Sequence, residues 1–328
     1  MDDRSVEQRV KSERLHFESI QSFSDLPHIV HWWAVRFLRP RVRHIFGTID
    51  PGDFYLTPIA ERISSAARRL LVCSLGSGDG EVECELARRL QTKGLTNVRI
   101  VGVELFDTLV ARSRARAEAA GLSHMVEFVE GNLNDLHLPD SVDVIICNQI
   151  LHHVTELESL FAEARRALHP DGVLLTRDMI GKNGHQAWPE ALAVVERLWN
   201  HLPAGKKYHH RHKKHVETYA NADHASAGFE GIRSQDVMRC LLNEFHATHF
   251  YSFGGIVERF INRGYGANYS TESDEDKSFV VALQELNDAL IDGGIITPTQ
   301  MVGRFVPKAT ACIHWKQRTP ERSMRSPS

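Results

Sequence analysis

The amino-acid sequence predicts an α/β protein with a doubly wound, seven-stranded and mostly parallel sheet that helices cover on both faces. Three observations carry this prediction. Five apolar runs alternate with segments of helical periodicity, two further strand-like runs follow a polar interruption, and a glycine-rich turn comes directly after the first run. Runs that are apolar throughout suit strands buried on both faces, and such strands form parallel sheets joined by helices.

The order of the elements follows from these runs. The first five strands are expected at 69–76, 98–105, 125–131, 142–149 and 172–179. The segments EVECELARRLQTKG and FDTLVARSRARAEAAG have helical periodicity, and Gly94 and Gly121 are suited to end those helices. Helices near SQDVMRCLLNEF and DKSFVVALQELNDALIDGG and strands near ATHFYSF and PTQMVGRFV complete the sheet.

The domain organisation is predicted from changes in composition. We expect an N-terminal helical segment or lid at 1–60, in which HIVHWWAVRFL forms a helix, and a catalytic-type domain at 61–312. The polar stretch 181–232 interrupts that domain and is expected to cover the substrate. The tail 313–328 is rich in Pro, Ser and Arg, which predicts disorder.

Composition excludes several classes of function. The net charge of the 328 residues is −3, so no global basic field favours nucleic acid or an anionic membrane. The five cysteines are scattered without CxxC spacing, which favours reduced thiols and no metal centre. The charged N-terminus has no apolar signal region and no run reaches the length of a membrane span, so we expect a cytoplasmic protein. The oligomeric state is left open, a dimer included.

The stretch LVCSLGSGDGEVECELARRL links the first strand to the next helix through glycines at 76, 78 and 80. A dinucleotide-binding turn would have its third glycine where Glu81 stands, and a phosphate-binding loop would need GK[ST]. A ligand without phosphates therefore suits this turn better. The next strand ends at Glu104, where a carboxylate can accept hydrogen bonds from both hydroxyls of a ribose.

This series resembles the class I S-adenosylmethionine-dependent methyltransferases. The resemblance runs from about residue 70 to 179 through the glycine turn, Glu104, GNLNDLHLP, VDVIICNQILHHV and ALHPDGVLLTRDM. It implies the Rossmann-like methyltransferase fold, with the seventh strand inserted antiparallel, and S-adenosyl-L-methionine as the cofactor. The segments NQILHHV, DMIGKNGH, WPEAL and FEGIRSQD also resemble a subgroup of bacterial enzymes of small-molecule or glycan pathways, which implies an acceptor of that type.

The resemblance also implies a set of cofactor-binding residues. The glycines would contact the methionine part, Glu104 the ribose, Asn132 and Leu133 the adenine, and Asn148 and Gln149 the space near the sulfonium. Ser74 departs from the family's acidic residue and Asn132 from its usual Asp, and both can still form hydrogen bonds. The full set is Ser74, Gly76, Ser77, Gly78, Gly80, Glu104, Leu105, Asn132, Leu133, Asn148 and Gln149.

The candidate catalytic residues are histidines and an aspartate near the ends of strands four and five. An oxygen acceptor benefits from a general base, and histidine has a suitable pKa. His152 and His153 follow the fourth strand, and His152 is expected to lie nearer the site. Asp178 and His185 form a second candidate pair, in which the acid orients the base; a purely structural role is left open for all four.

Two further segments keep more than one interpretation. The loop KKYHHRHKKH at 206–215 is interpreted as a solvated basic face, with an anion-binding lid or a metal cluster as alternatives. The tryptophans of HWW at 31–33 either pack in the core or roof the active site. The rival functions are an RNA or protein methyltransferase and a cofactor-binding protein without catalysis; a dehydrogenase is disfavoured by Glu81.

Overall fold

The computed structural model describes residues 8–11, 14, 26–65, 67–226 and 228–325. Residues 1–7, 12–13 and 15–25 of the predicted N-terminal segment, Ala66, Ala227 and the last three residues of the predicted tail lie outside this description. Residues 8–11 are helical. The helices that follow are α1 (His28–Trp33), α2 (Arg39–Phe46), α3 (Pro51–Ser65), α4 (Glu81–Thr92), α5 (Asp107–Ala119), α6 (Leu157–Ala167), α7 (Pro189–His201), α8 (Val237–Glu244), α9 (Val257–Ile261) and α10 (Asp274–Asp292).

The described residues form ten strands, and all but the three of two residues each agree closely with the predicted apolar runs. The ten strands are β1 (Leu70–Leu75), β2 (Val98–Glu104), β3 (Val126–Glu130), β4 (Val142–Asn148), β5 (Leu168–Met179), β6 (Tyr208–His209), β7 (Lys214–His215), β8 (His246–Phe253), β9 (Gln300–Val306) and β10 (Ile313–His314). Strands β6 and β7 form a small sheet of their own in the predicted insertion, and the other eight form the central sheet.

The central sheet has the predicted doubly wound α/β architecture. Its order is β10-β8-β9-β5-β4-β1-β2-β3, and β9 runs antiparallel to both β5 and β8 while the remaining pairs are parallel. Along β1, Val72 joins the apolar core on one face, whereas Cys73 and Leu75 join the core on the other. Burial on both faces explains why these strands lack the alternation of polar and apolar residues.

The expectation of seven strands and a disordered tail from 313 is wrong for the described part of the tail. Ile313 and His314 add an eighth strand, parallel to β8. Arg318 is buried, and its guanidinium bonds Asp292 at 2.7 Å and Asp288 at 2.6 Å on α10. The sequence obscured this because an arginine that satisfies two partly buried aspartates looks, on composition alone, like any basic residue of a flexible tail.

The N-terminal helices pack on the sheet domain through specific side chains. The predicted helix at 28–38 is present as α1 and a π-helical turn, Ala34–Leu38, which leads into α2. Trp33 is buried and its indole N–H donates to Gln284 of α10 at 2.6 Å, which is a core-packing role. In the described residues, no helix combines the length and apolar character needed to cross a membrane.

Candidate functional site

The glycine turn follows β1 and has a positive φ at all three glycines. The angles are +70° at Gly76, +56° at Gly78 and +73° at Gly80, a region in which a Cβ is unfavourable. A Cβ at Gly76 would overlap Ile150, and one at Gly80 would lie 2.7 Å from Phe128. A Cβ at Gly78 meets nothing within 4 Å. Packing within the protein therefore requires two of the glycines, and only Gly78 faces open space.

Ser74 pairs with an acidic residue that the sequence analysis did not single out. Its hydroxyl donates to Glu83 Oε1 at 2.5 Å, and both residues are buried. Burial raises the pKa of Glu83 to about 7, although the bond from Ser74 acts in the opposite direction. The acidic group that Ser74 lacks is thus supplied from the first turn of α4. Two buried oxygens here, Glu83 Oε2 and Ser77 Oγ, have no hydrogen-bond partner in the described part of the chain.

Glu104 ends β2 beside the glycine turn. Its Oε2 accepts the backbone N–H of Gly78 at 2.9 Å, and its Oε1 accepts those of Leu105 at 2.8 Å and Phe106 at 3.2 Å. These donors fix the carboxylate at the edge of the sheet. Leu105 follows with 36% of its surface exposed, so an apolar side chain faces solvent directly beside Glu104.

Asn132 and Leu133 lie after β3, where a short 3₁₀ turn begins. The Asn132 side chain accepts the backbone N–H of Asn134 at 3.0 Å and so caps that turn, and Leu133 is buried. Asn134 in turn accepts the backbone N–H and the hydroxyl of Thr155, at 2.9 and 3.0 Å. The loop after β3 is therefore bound to the segment that follows β4.

Asn148 ends β4 and Gln149 follows it, and the two differ in what their side chains contact. Asn148 Oδ1 accepts the hydroxyl of Tyr55 at 2.8 Å, which brings helix α3 to the edge of the sheet. Gln149 has a φ of +55°, unusual for a residue with a Cβ, and its side-chain amide donates to the Arg177 carbonyl at 3.2 Å. Tyr55 was missed because nothing in the spacing of an apolar helix marks one tyrosine as a site residue.

Asp178 organises the loop that follows β4. The side chain is fully buried and accepts the backbone N–H groups of Ile150 and Leu151, each at 2.8 Å, and that of Met179 at 2.8 Å. It also accepts Nδ1–H of His152 at 2.6 Å. One carboxylate therefore fixes both the loop backbone and the orientation of the His152 ring.

His185 pairs with Glu230, from the far end of the insertion. His185 Nε2 lies 2.7 Å from Glu230 Oε1, and His152 Nε2 lies 3.7 Å from the same oxygen. His153 Nε2 lies 3.5 Å from Glu230 Oε2. All three imidazoles thus face one carboxylate, and the ring centroids of His152 and His185 are 5.1 Å apart.

The predicted pairing of Asp178 with His185 is wrong. Asp178 belongs to His152, and the carboxylate beside His185 is Glu230. Glu230 was missed because it is 45 residues from His185 in the sequence and no local spacing connects them. The four predicted catalytic residues nevertheless converge, because the ends of β4 and β5 are neighbours at the same edge of the sheet.

The pKa values of His152 and His185 are shifted in opposite directions. Burial opposes the charge on His152, but Asp178 and Glu230 outweigh it and raise its pKa to about 10. Burial lowers the pKa of His185, although Glu230 acts in the opposite direction. The pKa of Glu230 lies below its usual range, because its bonds to His152 and His185 outweigh the opposing effect of burial.

The side chains of the His/Lys-rich loop at 206–215 make their contacts away from the histidine cluster around Glu230. Lys206 pairs with Asp276 at the start of α10, His210 Nε2 lies 2.7 Å from Asn268 Oδ1, and the rings of His209 and His212 stack 4.2 Å apart. In the described ranges, the one grouping of three residues with metal-ligand geometry is that of His152, His185 and Glu230.

Comparison with known proteins gives a partial match. Residues 73–176 match a family described as "Methyltransferase domain". The chain is 31% identical over 103 residues to sterol 24-C-methyltransferase of Aspergillus fumigatus, covering 31% of this chain and 26% of that protein. It is 26% identical over 198 residues to 27-O-demethylrifamycin SV methyltransferase of Amycolatopsis mediterranei, covering 56% of this chain and 70% of that protein.

A solved structure matches over most of the chain. It is the O-methyltransferase of a trans-AT PKS multienzyme of Brevibacillus brevis in complex with S-adenosyl-L-homocysteine. The identity is 11%, the TM-score is 0.44, and the match covers 94% of this chain and 81% of that one. By sequence, the chain spans less than half the length of the first curated relatives it matches. The family match includes the glycine turn, Glu104 and His152, but ends before His185 and Glu230.

Proposed function

Because residues 73–176 form a class I S-adenosylmethionine-dependent methyltransferase domain, we propose that the protein transfers a methyl group to a hydroxyl or amine of a small-molecule or glycan-type acceptor. One observation carries the proposal. Ile150 packs against Gly76 of the glycine turn, and two residues further His152 begins the histidine cluster around Glu230. A turn of the kind that binds a cofactor and a cluster of titratable side chains thus lie at the same edge of the sheet.

The residues at this edge fit S-adenosylmethionine. The open space at Gly78 accommodates the methionine part, with Ser77 and the Ser74–Glu83 pair as polar partners that still have unbonded oxygens. Glu104, held by the N–H of Gly78, is the acceptor for the ribose hydroxyls. The exposed Leu105 supports a contact with the adenine.

The remaining cofactor-site residues take supporting roles in this proposal. Leu133 packs under the adenine, whereas Asn132 acts through its cap on the 3₁₀ turn. Asn148, oriented by Tyr55, faces the reacting centre, and Gln149 shapes the turn after β4 through its bonds to Arg177. Donation from the Gln149 amide to the Arg177 carbonyl explains why an amide suits that position.

When bound, S-adenosylmethionine supplies a methyl group on a sulfonium, so the carbon–sulfur bond breaks with its electron pair left on sulfur while the acceptor atom bonds the carbon. The protein has to align the acceptor, exclude water and receive the acceptor's proton. His185, whose lowered pKa favours the neutral imidazole, receives it beside Glu230, whereas the raised pKa of His152 means that this ring already carries a proton near pH 7. Asp178 is a positioning residue, because its contacts are to His152 and to loop backbone.

The N-terminal segment and the insertion close the cleft in this proposal. Arg14 lies 3.0 Å from Asp107, just after Glu104, and stacks over Phe106. Arg9 donates to the carbonyl oxygens of Ala225 and Gly228, next to Glu230. Arg9 and Arg14 therefore contact the insertion and the cofactor side respectively, which supports the predicted lid. Exclusion of water strengthens electrostatic interactions inside such a site.

The test is S-adenosylhomocysteine formation on a panel of phenols, sugars, amines, RNA and peptides. We expect turnover with a small hydroxyl or amine compound and a loss of roughly 100-fold or more in Glu230→Gln, because general acid–base catalysis contributes about 10²–10⁴-fold. Glu127→Gln is the matched control, since the side chains of Glu230 and Glu127 are 42% and 40% exposed and Glu127 lies away on β3. Turnover with RNA or peptides alone, or cofactor binding without turnover on any class, would contradict the proposal.

A further inference from the structure

The three groups that face one another at the end of β4 have the spacing of metal ligands. The donor atoms of His152, His185 and Glu230 all lie within 4.8 Å of one another. Glu230 Oε1 is 2.7 Å from His185 Nε2 and 3.7 Å from His152 Nε2. A divalent ion bound at roughly 2.0–2.2 Å from nitrogen and oxygen ligands separates neighbouring ligands by about 3 Å, so little movement is needed to surround one.

The ring of His152 is held as metal-binding histidines are held. Asp178 accepts Nδ1–H at 2.6 Å, so Nε2 is the ring nitrogen that faces Glu230 and His185. Asp178 is itself fixed by the backbone N–H groups of Ile150 and Leu151. A carboxylate behind the imidazole fixes the tautomer and increases the basicity of the coordinating nitrogen.

The backbone around His185 is held in an uncommon conformation. His185 has a φ of +55° and Gly184 a φ of +64°, and a side chain at Gly184 would overlap Asp223. The His185 carbonyl accepts Nη1–H of Arg259 at 2.6 Å. Residues with a Cβ adopt such torsions at some energetic cost, and these torsions are concentrated at functional sites. The position of the His185 ring is therefore imposed by its surroundings.

From this geometry we propose that His152, His185 and Glu230 bind one divalent first-row transition-metal ion, although the sequence predicts no metal centre. Two imidazoles and a carboxylate form the ligand set of catalytic zinc and non-haem iron sites, and they leave coordination positions open. The site is distinct from the loop at 206–215, where the sequence offered a metal cluster as an alternative.

The metal would deepen the proposed function, and this step rests on that function. An acceptor hydroxyl bound at an open position becomes more acidic, as metal-bound water does. Its O–H bond would break with the proton passing to His153, the neighbouring imidazole that is not a ligand, and the oxygen lone pair would form the bond to the methyl carbon as the carbon–sulfur bond breaks. His152, His185 and Glu230 would then act as ligands, and His153 would replace His185 as the base.

The test measures metal bound after equilibration with Zn²⁺ alone, Mn²⁺ alone and Fe²⁺ alone without oxygen, followed by dialysis and elemental analysis. We expect about one ion of at least one of these metals per chain in the wild type, and loss of that ion in His185→Ala and in the nearly isosteric Glu230→Gln. The matched control is His212→Ala, which removes the exposed ring of the His209–His212 stack and should leave the bound ion in place. Thermal melts of all variants confirm that each is folded.

The outcomes separate this inference from the proposed function. A wild type without bound metal, an ion retained in both site variants, or an ion lost in His212→Ala would overturn the metal site. Calorimetric binding of S-adenosylhomocysteine is expected to be unchanged in Glu230→Gln, because Glu230 does not belong to the cofactor set. Absent cofactor binding in the wild type would instead contradict the proposed function and leave the metal measurement valid.

Discussion

Glu104→Gln tests the cofactor site at the residue with the most specific geometry. The carboxylate accepts N–H groups from Gly78, Leu105 and Phe106, so truncation to alanine would leave three donors without their acceptor. Glutamine keeps the volume and one oxygen but replaces the other with an N–H₂ group, which cannot accept from a ribose hydroxyl. Charge-assisted hydrogen bonds contribute about 1.5–3 kcal/mol, which corresponds to a roughly 10- to 150-fold loss of affinity.

The assay is calorimetric titration with S-adenosylhomocysteine, and a matched variant separates local contacts from general charge effects. Glu130→Gln removes the same charge from the exposed residue that pairs with Glu104 across β2 and β3, and it should bind as the wild type does. A thermal melt establishes that Glu104→Gln is folded at the titration temperature. Equal affinity of Glu104→Gln and the wild type would refute the assignment of the ribose site to the end of β2.

Three further predictions test neighbouring features. Gly78→Ala and Gly94→Ala both place a Cβ at positive φ with no atom within 4 Å, so each should lower the free energy of unfolding by about 1 kcal/mol. Only Gly78→Ala should weaken cofactor binding. Equal cofactor affinity of the two variants would mean that Gly78 does not face the cofactor. Because burial raises the folded-state pKa of Glu83 to about 7, above the ordinary value of 4.5, the folded state keeps a proton that the unfolded chain releases. The free energy of unfolding should therefore fall as pH rises from about 4.5 to 7, and urea titrations at about pH 5 and pH 8 should show a smaller fall in Glu83→Gln. Arg318→Ala should lower the free energy of unfolding by roughly 3 kcal/mol, because it leaves two partly buried aspartates of α10 without this cation. Substitution of the exposed Arg322 by alanine should have little effect. Similar urea unfolding curves for the two variants would indicate that the tail is not docked.

The sequence predicted the fold well where hydrophobic pattern and local turn chemistry determine structure. The runs that became β1 to β5 are apolar throughout because both faces of the sheet are buried, and Gly76 and Gly80 mark a turn that no other residue fits. The ends of β4 and β5 were therefore assigned to the correct edge. His152 and His185 were predicted as separate candidates, and they lie close together because they follow these two neighbouring strands.

Side-chain partners across the fold were not predictable from one sequence. Glu83 supplies the carboxyl group that Ser74 lacks, and Glu230 rather than Asp178 faces His185. Each pairing depends on how helices and loops pack in three dimensions, and no spacing along the chain encodes it. The docked tail was also missed, because Arg318 holds it in place by pairing with two aspartates of helix α10, and the sequence does not reveal that pairing.

The most direct test of the central claim is calorimetric titration of the wild-type protein with S-adenosylmethionine and S-adenosylhomocysteine, with NADH as the control. The geometry of Gly78, Ser77 and Glu104 predicts saturable one-to-one binding of both sulfur compounds and no binding of NADH. Absence of binding by either sulfur compound, or comparable binding of NADH, would contradict the assignment of this cleft to the methyl donor.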